Sequence, residues 1–201
     1  DAAGVTIFAH DDNKPDANLP NGTVMPWQDW PWSDLDALVI SPGIPHLHPT
    51  PHPAAARAAA ANIEIVSEVE IALRAAPQAP IVVITGTNGK STTTALIGHC
   101  LKEVGTAVAV GGNIGRAACS LDDPGPAGVI VLELSSYQLE TTPALSPTIA
   151  VVLNITPDHL DRHAGMTGYV AAKTRALSAL HADGTAVLGC SDDHVKQLAN
   201  A

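Results

Sequence analysis

Residues 81–96 read IVVITGTNGKSTTTAL. Four apolar residues, Ile81, Val82, Val83 and Ile84, run straight into Thr85-Gly86-Thr87-Asn88-Gly89-Lys90-Ser91-Thr92, and a helix-compatible segment follows. A buried strand, a glycine loop and a helix start make the grammar of a phosphate cradle. Glycine lets backbone N–H groups turn toward an anion with no Cβ in the way. Lys90 supplies a point charge for phosphate oxygens, and Ser91 stands where a hydroxyl ligates Mg²⁺. The spacing is GxxGKS, shorter than the usual phosphate loop, whose first glycine would fall at Ile84. The plain alternative is a strand–turn–helix joint that uses glycine for its turn. GKST soon after a β-branched run favours phosphate, with Gly86, Thr87, Asn88, Gly89, Lys90, Ser91 and Thr92 as the contact set.

The rest of the chain must then supply a site without much positive charge. Among 201 residues, 10 Lys and Arg stand against 20 Asp and Glu, a net charge of −10. That balance argues against nucleic-acid or anionic-membrane partners, and 3% aromatics leave little for base stacking. No run of about 18 apolar residues could span a bilayer, and no secretory leader opens the sequence, so a cytoplasmic location is expected. Cys100, Cys119 and Cys190 are odd in number and far apart, which fits reduced structural thiols.

Upstream of the loop, residues 5–9 read as a strand so close to the first residue that preceding sequence is expected. Asp11-Asp12-Asn13 follows, either a ligand contact at a strand's carboxyl end or a turn or cap. Residues 14–34 are polar and Pro-rich, with Trp27, Trp30 and Trp32 clustered, and suggest an irregular connection. Residues 35–40 form a strand ending in Ser41-Pro42-Gly43, where Ser41 and the Gly43 amide suit an oxyanion or simply a tight turn. His46, His48 and His52 in HLHPTPHP lack the regular scaffold and acidic partners of a metal site. A helix over 54–61, a strand over 63–66 and a helix from Ser67 to Arg74, with Glu70 at the capping-box position, complete a small α/β unit. A Pro- and Ala-rich break over 75–80 places the boundary, giving domains 1–77 and 78–201.

Downstream, the loop's helix runs to about 104. Strands over 107–110, 129–132 and 149–153 end in GGNIG, ELSSYQ and NITPDH. A helix over 167–180 carrying Lys173, a strand over 186–188 and a helix from 192 follow. Four strands thus deliver polar groups to one end of a mainly parallel sheet, the end where such sheets bind ligands. Glu133 in line with Ser91 reads as a Mg²⁺ ligand or as a solvated cap. Asp158, His159, Asp161 and His163 could suggest zinc; oxygen-rich company beside a phosphate loop favours Mg²⁺. Lys173 is by default a surface lysine.

Together GTNGKST, GGNIG, LELSSYQLE, NITPDHLDRH and YVAAKTRAL resemble the Mur ligases of peptidoglycan synthesis, over nearly the whole chain and most weakly over residues 11–34. SPGIP and ELSSYQLE resemble the branch that adds D-glutamate to UDP-N-acetylmuramoyl-L-alanine. The resemblance implies an α/β chain: a partial Rossmann-like substrate domain, then a partial P-loop NTPase-like ATP domain. It implies ATP and Mg²⁺ as cofactors, an acyl phosphate on the alanyl carboxylate, attack by the D-glutamate amine, and a monomer. By that match Lys90 and the loop amides hold the β- and γ-phosphates, Ser91 and Glu133 hold one Mg²⁺, and His159 helps hold a second. Lys173 matches a lysine that the family carbamylates, which turns a cation into a metal-ligating anion. Asn113, Ser135, Gln138 and the turn Ser41, Pro42, Gly43 match contacts to the UDP-sugar, and Asp11 and Asp12 fall where uracil binds.

Such ligases have three domains and about twice this length. The resemblance therefore implies a chain short of the first strand and glycine loop, the adenine contacts and the D-glutamate domain, and unable alone to complete ligation. The alternatives are a related ligase of the folylpolyglutamate synthase type and a nucleotide-binding module without turnover.

Overall fold

In the computed structural model residues 4–14 and 18–199 are described; residues 15–17, in the polar connection after the first strand, lie outside that set. Two small parallel pairs precede a five-stranded sheet. The first pair is β1 (Phe8–Ala9) with β2 (Thr23–Val24), and the second is β3 (Ala37–Val39) with β4 (Glu64–Val66). Strand β2 falls in a segment expected to be irregular. With two residues it is too short for any alternation to show.

Between β3 and β4 lies α1 (Pro53–Ala60). Proline opens it at a position where its missing N–H is harmless, and His52 Nδ1 accepts from the Ala54 amide at 3.2 Å. Alanines 54, 55 and 58 face Trp32, Leu38, Ile40 and Ile63 in a compact cluster. The tryptophans pack on this cluster, with the Trp32 indole N–H donating to the Trp27 carbonyl at 2.9 Å.

Helix α2 (Glu68–Arg74) follows β4. Ser67 caps it by accepting from the Glu70 amide, as the sequence suggested. Glu70 does not close the box. Its carboxylate takes the Arg74 guanidinium at 2.8 Å and the Ala144 amide at 2.8 Å instead. Val69 packs with residues of the large sheet, and the Ser67 amide donates to Thr141 O at 2.8 Å. By packing, α2 is therefore part of the second core.

The large sheet comprises β5 (Ile81–Thr85), β6 (Val108–Gly112), β7 (Val129–Glu133), β8 (Ile149–Val152) and β9 (Thr185–Leu188). Its order is β6-β7-β5-β8-β9, with every pairing parallel. Central β5 is buried at all five positions, as a parallel strand covered on both faces must be. Ile81 and Val83 join Ile130, Leu132 and Ala150 on one face. Val82 and Ile84 join Val131 and Val151 on the other, under Ile97 and Leu101 of α3 (Lys90–Glu103). Each such Val, Ile or Leu side chain contributes about 1.5–3 kcal/mol on burial. Helices α4 (Ser136–Glu140) and α5 (Met166–Ser178) cover the first face with α2, and α6 (Asp193–Leu198) lies beyond β9 with Val195 packed on Val152.

From β5 the chain leaves toward β6, whereas from β8 it leaves toward β9. The crevice between those strands is the topological switch point, where open α/β sheets bind ligands. Cys100, Cys119 and Cys190 are free and exposed, so they are not the structural thiols expected. Among the described residues no helix is long and apolar enough to cross a membrane.

Candidate active site

The phosphate loop is held from the β8 side. The Thr87 amide donates to Asn154 O at 2.9 Å, and Asn154 exchanges two further bonds with the Asn88 backbone at 2.8 and 3.0 Å. Thr87 Oγ1 receives the Thr156 amide at 3.0 Å and lies 3.1 Å from the Tyr169 hydroxyl. These bonds fix the loop before any ligand arrives. Gly86, at φ +151°, allows the close approach, since a Cβ there would sit 3.0 Å from Leu153 Cβ. Gly89, at φ +83°, begins α3 with no side-chain cap. The first amides of a 14-residue helix therefore point out without intrahelical acceptors, an arrangement suited to an anion.

Lys90 Nζ donates to Thr87 O at 2.9 Å, folded over its own loop. Ser91 is exposed in the first helical turn. Next to the loop, β7 ends at Glu133, whose residue exposure is 1%. Asn113 binds it twice, with its amide on Glu133 O at 2.8 Å and Nδ2 on Oε1 at 3.1 Å. Oε2 is buried with no hydrogen-bond partner among the described residues. An unsatisfied buried carboxylate oxygen is costly, and a divalent cation is a partner that would satisfy it. Gly112 makes this packing feasible: at φ +96°, its missing Cβ would stand 2.4 Å from Glu133 O.

A cleft of about 260 Å³ opens over these groups. Its walls include Lys90, Asn113, Ser135, His159 and Lys173, with Pro42 and Gly43 from the first unit. Lys173 is 1% exposed, donates from Nζ to Gly86 O at 2.7 Å and lies 4.7 Å from the Tyr169 ring centre. Burial, then the nearby Lys90 charge, lower its pKa to about 7, with Asp158 opposing. Near neutral pH about half of this amine is then unprotonated and nucleophilic. His159 adopts a left-handed backbone conformation at φ +50° and sits 3.5 Å from Asp158 Oδ2.

The turn at residues 41–44 closes through the Ile44 amide on Ser41 O at 2.9 Å. Arg162 holds it from the second unit, donating to Gly43 O at 3.0 Å and Pro42 O at 3.4 Å while lying 4.4 Å over the Tyr137 ring.

Other residues singled out by sequence stand outside the cleft lining. Gln138 is buried, and its side chain completes a capping box with Ser135. Ser41, Ser91 and Glu133 flank the cleft's lining residues in sequence without belonging to its walls. Asp11 accepts the Asn13 and Lys14 amides at 2.8 and 3.1 Å, an Asx turn, and Asp12 pairs with His10 at 2.9 Å. The histidine-rich loop disperses: His52 caps α1, and His46 reaches Glu140 at 3.8 Å. No group of three His, Cys, Asp or Glu side chains forms a metal cluster among the described residues. Sequence reasoning missed Arg162, Tyr137, Tyr169 and Asn154. Only Asn154 gave a signal, as the first residue beyond a buried strand.

Comparison with known proteins shows the family of the chain. Residues 84–201 match the Mur ligase middle domain. The chain is 49% identical, across 95% of its length, to a UDP-N-acetylmuramoylalanine--D-glutamate ligase of Paramagnetospirillum magneticum. It is 42% identical, across 99%, to the ligase of the same name in Rhodopseudomonas palustris. It spans 42% and 44% of those relatives' own lengths. Among solved structures, UDP-N-acetylmuramate:L-alanyl-gamma-D-glutamyl-meso-diaminopimelate ligase from Neisseria meningitides matches at TM-score 0.53, 17% identity, 73% of this chain and 51% of that one. MurF ligase from Thermotoga maritima in complex with ADP matches at 0.51, 19% identity, 68% and 39%. At such identities the structures show a shared fold.

Proposed function

The chain belongs to the Mur ligase family, and we propose that it carries the phosphate-binding and carboxylate-facing part of an ATP-dependent ligase joining D-glutamate to UDP-N-acetylmuramoyl-L-alanine. The observation that carries this reading is the shared cleft. One wall is a phosphate loop with Lys90, Lys173 and His159; the other is the Pro42–Gly43 turn of the preceding unit. A nucleotide phosphate and a carboxylate from a second substrate can meet there, as acyl phosphate formation requires. Phosphoryl transfer asks the protein mainly for positioning and charge neutralisation. The uncapped amides of α3 and Lys90 hold the β- and γ-phosphates, with Gly86, Thr87, Asn88, Gly89, Ser91 and Thr92 shaping the loop. Lys90 exchanges its internal bond to Thr87 O for phosphate oxygens. Asn113 holds Glu133 in place, and with Ser135 it faces the sugar-bearing substrate, as does the turn fixed by Arg162.

The donor set fits Mg²⁺. Glu133 offers a buried unsatisfied oxygen and Ser91 an exposed hydroxyl; His159 and Lys173 share the second position, Lys173 once its amine has added CO₂ to become a carbamate. Bound there, the cation neutralises charge on the transferring phosphoryl group. We place residues 1–77 with the UDP-sugar substrate and 78–201 with ATP, the last helix of the first segment, α2, packing on the core of the second, in a cytoplasmic monomer whose partners are these small molecules. The acidic composition suits neither a nucleic acid nor an anionic membrane.

Calorimetric titration tests this. UDP-N-acetylmuramoyl-L-alanine should bind in the micromolar range usual for enzyme substrates, and folate should not. Binding of folate instead would move the assignment to the folylpolyglutamate type. Loss of all Mg·ATP-analogue binding by a folded chain would refute the phosphate site.

A further inference from the structure

Three side chains behind the cleft wall form a line that phosphoryl transfer leaves unused. Ser136, a lining residue, has its Oγ 2.8 Å from His163 Nε2. His163 Nδ1 lies 2.9 Å from Glu140 Oε1. Ser136 and Glu140 lie four residues apart on α4, so one helix face presents both. His163 enters from the short helical turn Leu160–His163, and its side chain is fully buried. The ring stacks on Tyr137 at 5.2 Å and 14°, and Tyr169 of α5 packs at 5.3 Å. Arg162 precedes it in the chain, and His46 of the first unit faces Glu140 Oε2 at 3.8 Å. The Glu140 carboxylate can only accept, which assigns the proton to Nδ1 and leaves Nε2 to accept from the Ser136 hydroxyl. A hydroxyl, an imidazole and a carboxylate in that order, with the hydroxyl at a cleft, the imidazole buried and the carboxylate 22% exposed, form the connectivity that moves a proton off a reacting group.

We propose that Ser136, His163 and Glu140 are the proton relay for the acceptor amine in the ligation inferred above, on which this step rests. The amine nitrogen attacks the acyl carbon of the acyl phosphate and the C–N bond forms. The C–O bond to phosphate then breaks, and phosphate leaves with its electron pair. The proton lost by nitrogen passes to Ser136 Oγ as Ser136 gives its own to His163 Nε2. Glu140 stabilises the resulting imidazolium and keeps it oriented without taking the proton. Lys90 and Lys173 are turned to loop carbonyls, so neither faces this task.

Separating the two half-reactions tests the relay. The full-length gene product is given ATP and UDP-N-acetylmuramoyl-L-alanine, with either D-glutamate or hydroxylamine. Hydroxylamine is already neutral at pH 7 and traps an acyl phosphate as the hydroxamate without help from a base. Ser136→Ala and His163→Gln should lower D-glutamyl product formation about 100-fold, at the low end for general-base loss. Hydroxamate formation should stay within about twofold, because only the amine step uses the relay. Glu140→Gln, which keeps the shape, should give an intermediate loss. Near-wild-type amide formation in Ser136→Ala and His163→Gln would overturn the relay, as would equal falls in hydroxamate and amide. Wild-type protein yielding neither product would overturn the ligation reading itself, an outcome distinct from a failed relay.

Discussion

Replacing Lys173 with methionine should flatten the dependence of stability on pH above neutrality. Methionine fills a similar volume and carries no charge, whereas the lysine amine is buried, with its pKa lowered to about 7 by burial and by Lys90. In the unfolded chain the same amine titrates near its ordinary value of 10.5. Between these values the unfolded state binds a proton that the folded state does not, so stability rises with pH across that window. Below pH 7 the burden of burying the cation is fully present. The difference in pKa corresponds to about 4–5 kcal/mol in total. Linkage gives a gain of about 2 kcal/mol from pH 7 to pH 9, since half the folded molecules are already neutral at the lower value. Urea unfolding in CO₂-depleted buffer at both pH values reads it. Wild type should gain about 2 kcal/mol more than Lys173→Met. Equal gains in the two proteins would refute the buried-amine reasoning, and with it the explanation of why this lysine suits CO₂ addition.

Other consequences follow from single contacts. Lys90→Ala should lower ADP formation by about 10²–10³, the usual cost of a lost charge-stabilising donor; near-wild-type ADP release would remove Lys90 from the site. Lys173→Ala should be inactive and partly restored by acetate, which can occupy the carbamate's place; no restoration would leave that role unsupported. Arg162→Ala removes two carbonyl bonds and a stacked ring. It should raise KM for the UDP-sugar about tenfold, the equivalent of one charge-assisted hydrogen bond, with KM for ATP unchanged. Equal rises in both would show that Arg162 does not act through the Pro42–Gly43 turn. Gly112→Ala puts a Cβ into the Glu133 carbonyl at a positive φ and should cost about 3 kcal/mol or more. An unchanged urea midpoint would contradict that packing.

The central sheet was legible because its information is local. β5, β7 and β8 are continuous apolar runs that stop at polar residues, and glycines mark the phosphate turn, so the strands and their common direction followed from short patterns, while the order β6-β7-β5-β8-β9 did not. What escaped the sequence depends on distant partners. Arg162 meets the turn carrying Gly43 119 positions away, and no spacing reveals such a pair. Helix α2 carries a readable cap, but only the packing of Val69 against the large sheet assigns it to that core. Gln138 shows a competition between two signals. Ser135-x-x-Gln138 is a capping-box pattern as well as part of a family motif, and the structure spends the glutamine side chain on the cap. The buried ionisation of Lys173 was equally hidden, since a helix position says nothing about desolvation until the helix is docked. The relay through His163 required three residues from two elements, of which the sequence drew notice to one, and only as a possible metal ligand.

Product analysis by mass spectrometry tests the central claim most directly. Full-length protein, ATP and Mg²⁺ are supplied with UDP-N-acetylmuramoyl-L-alanine and either D- or L-glutamate. The account predicts a product carrying one added glutamyl residue with the D isomer, one ADP released per product, and about 10²–10³-fold less of it with Lys90→Ala. ATP turnover without that product, or equal product from the L isomer, would contradict it.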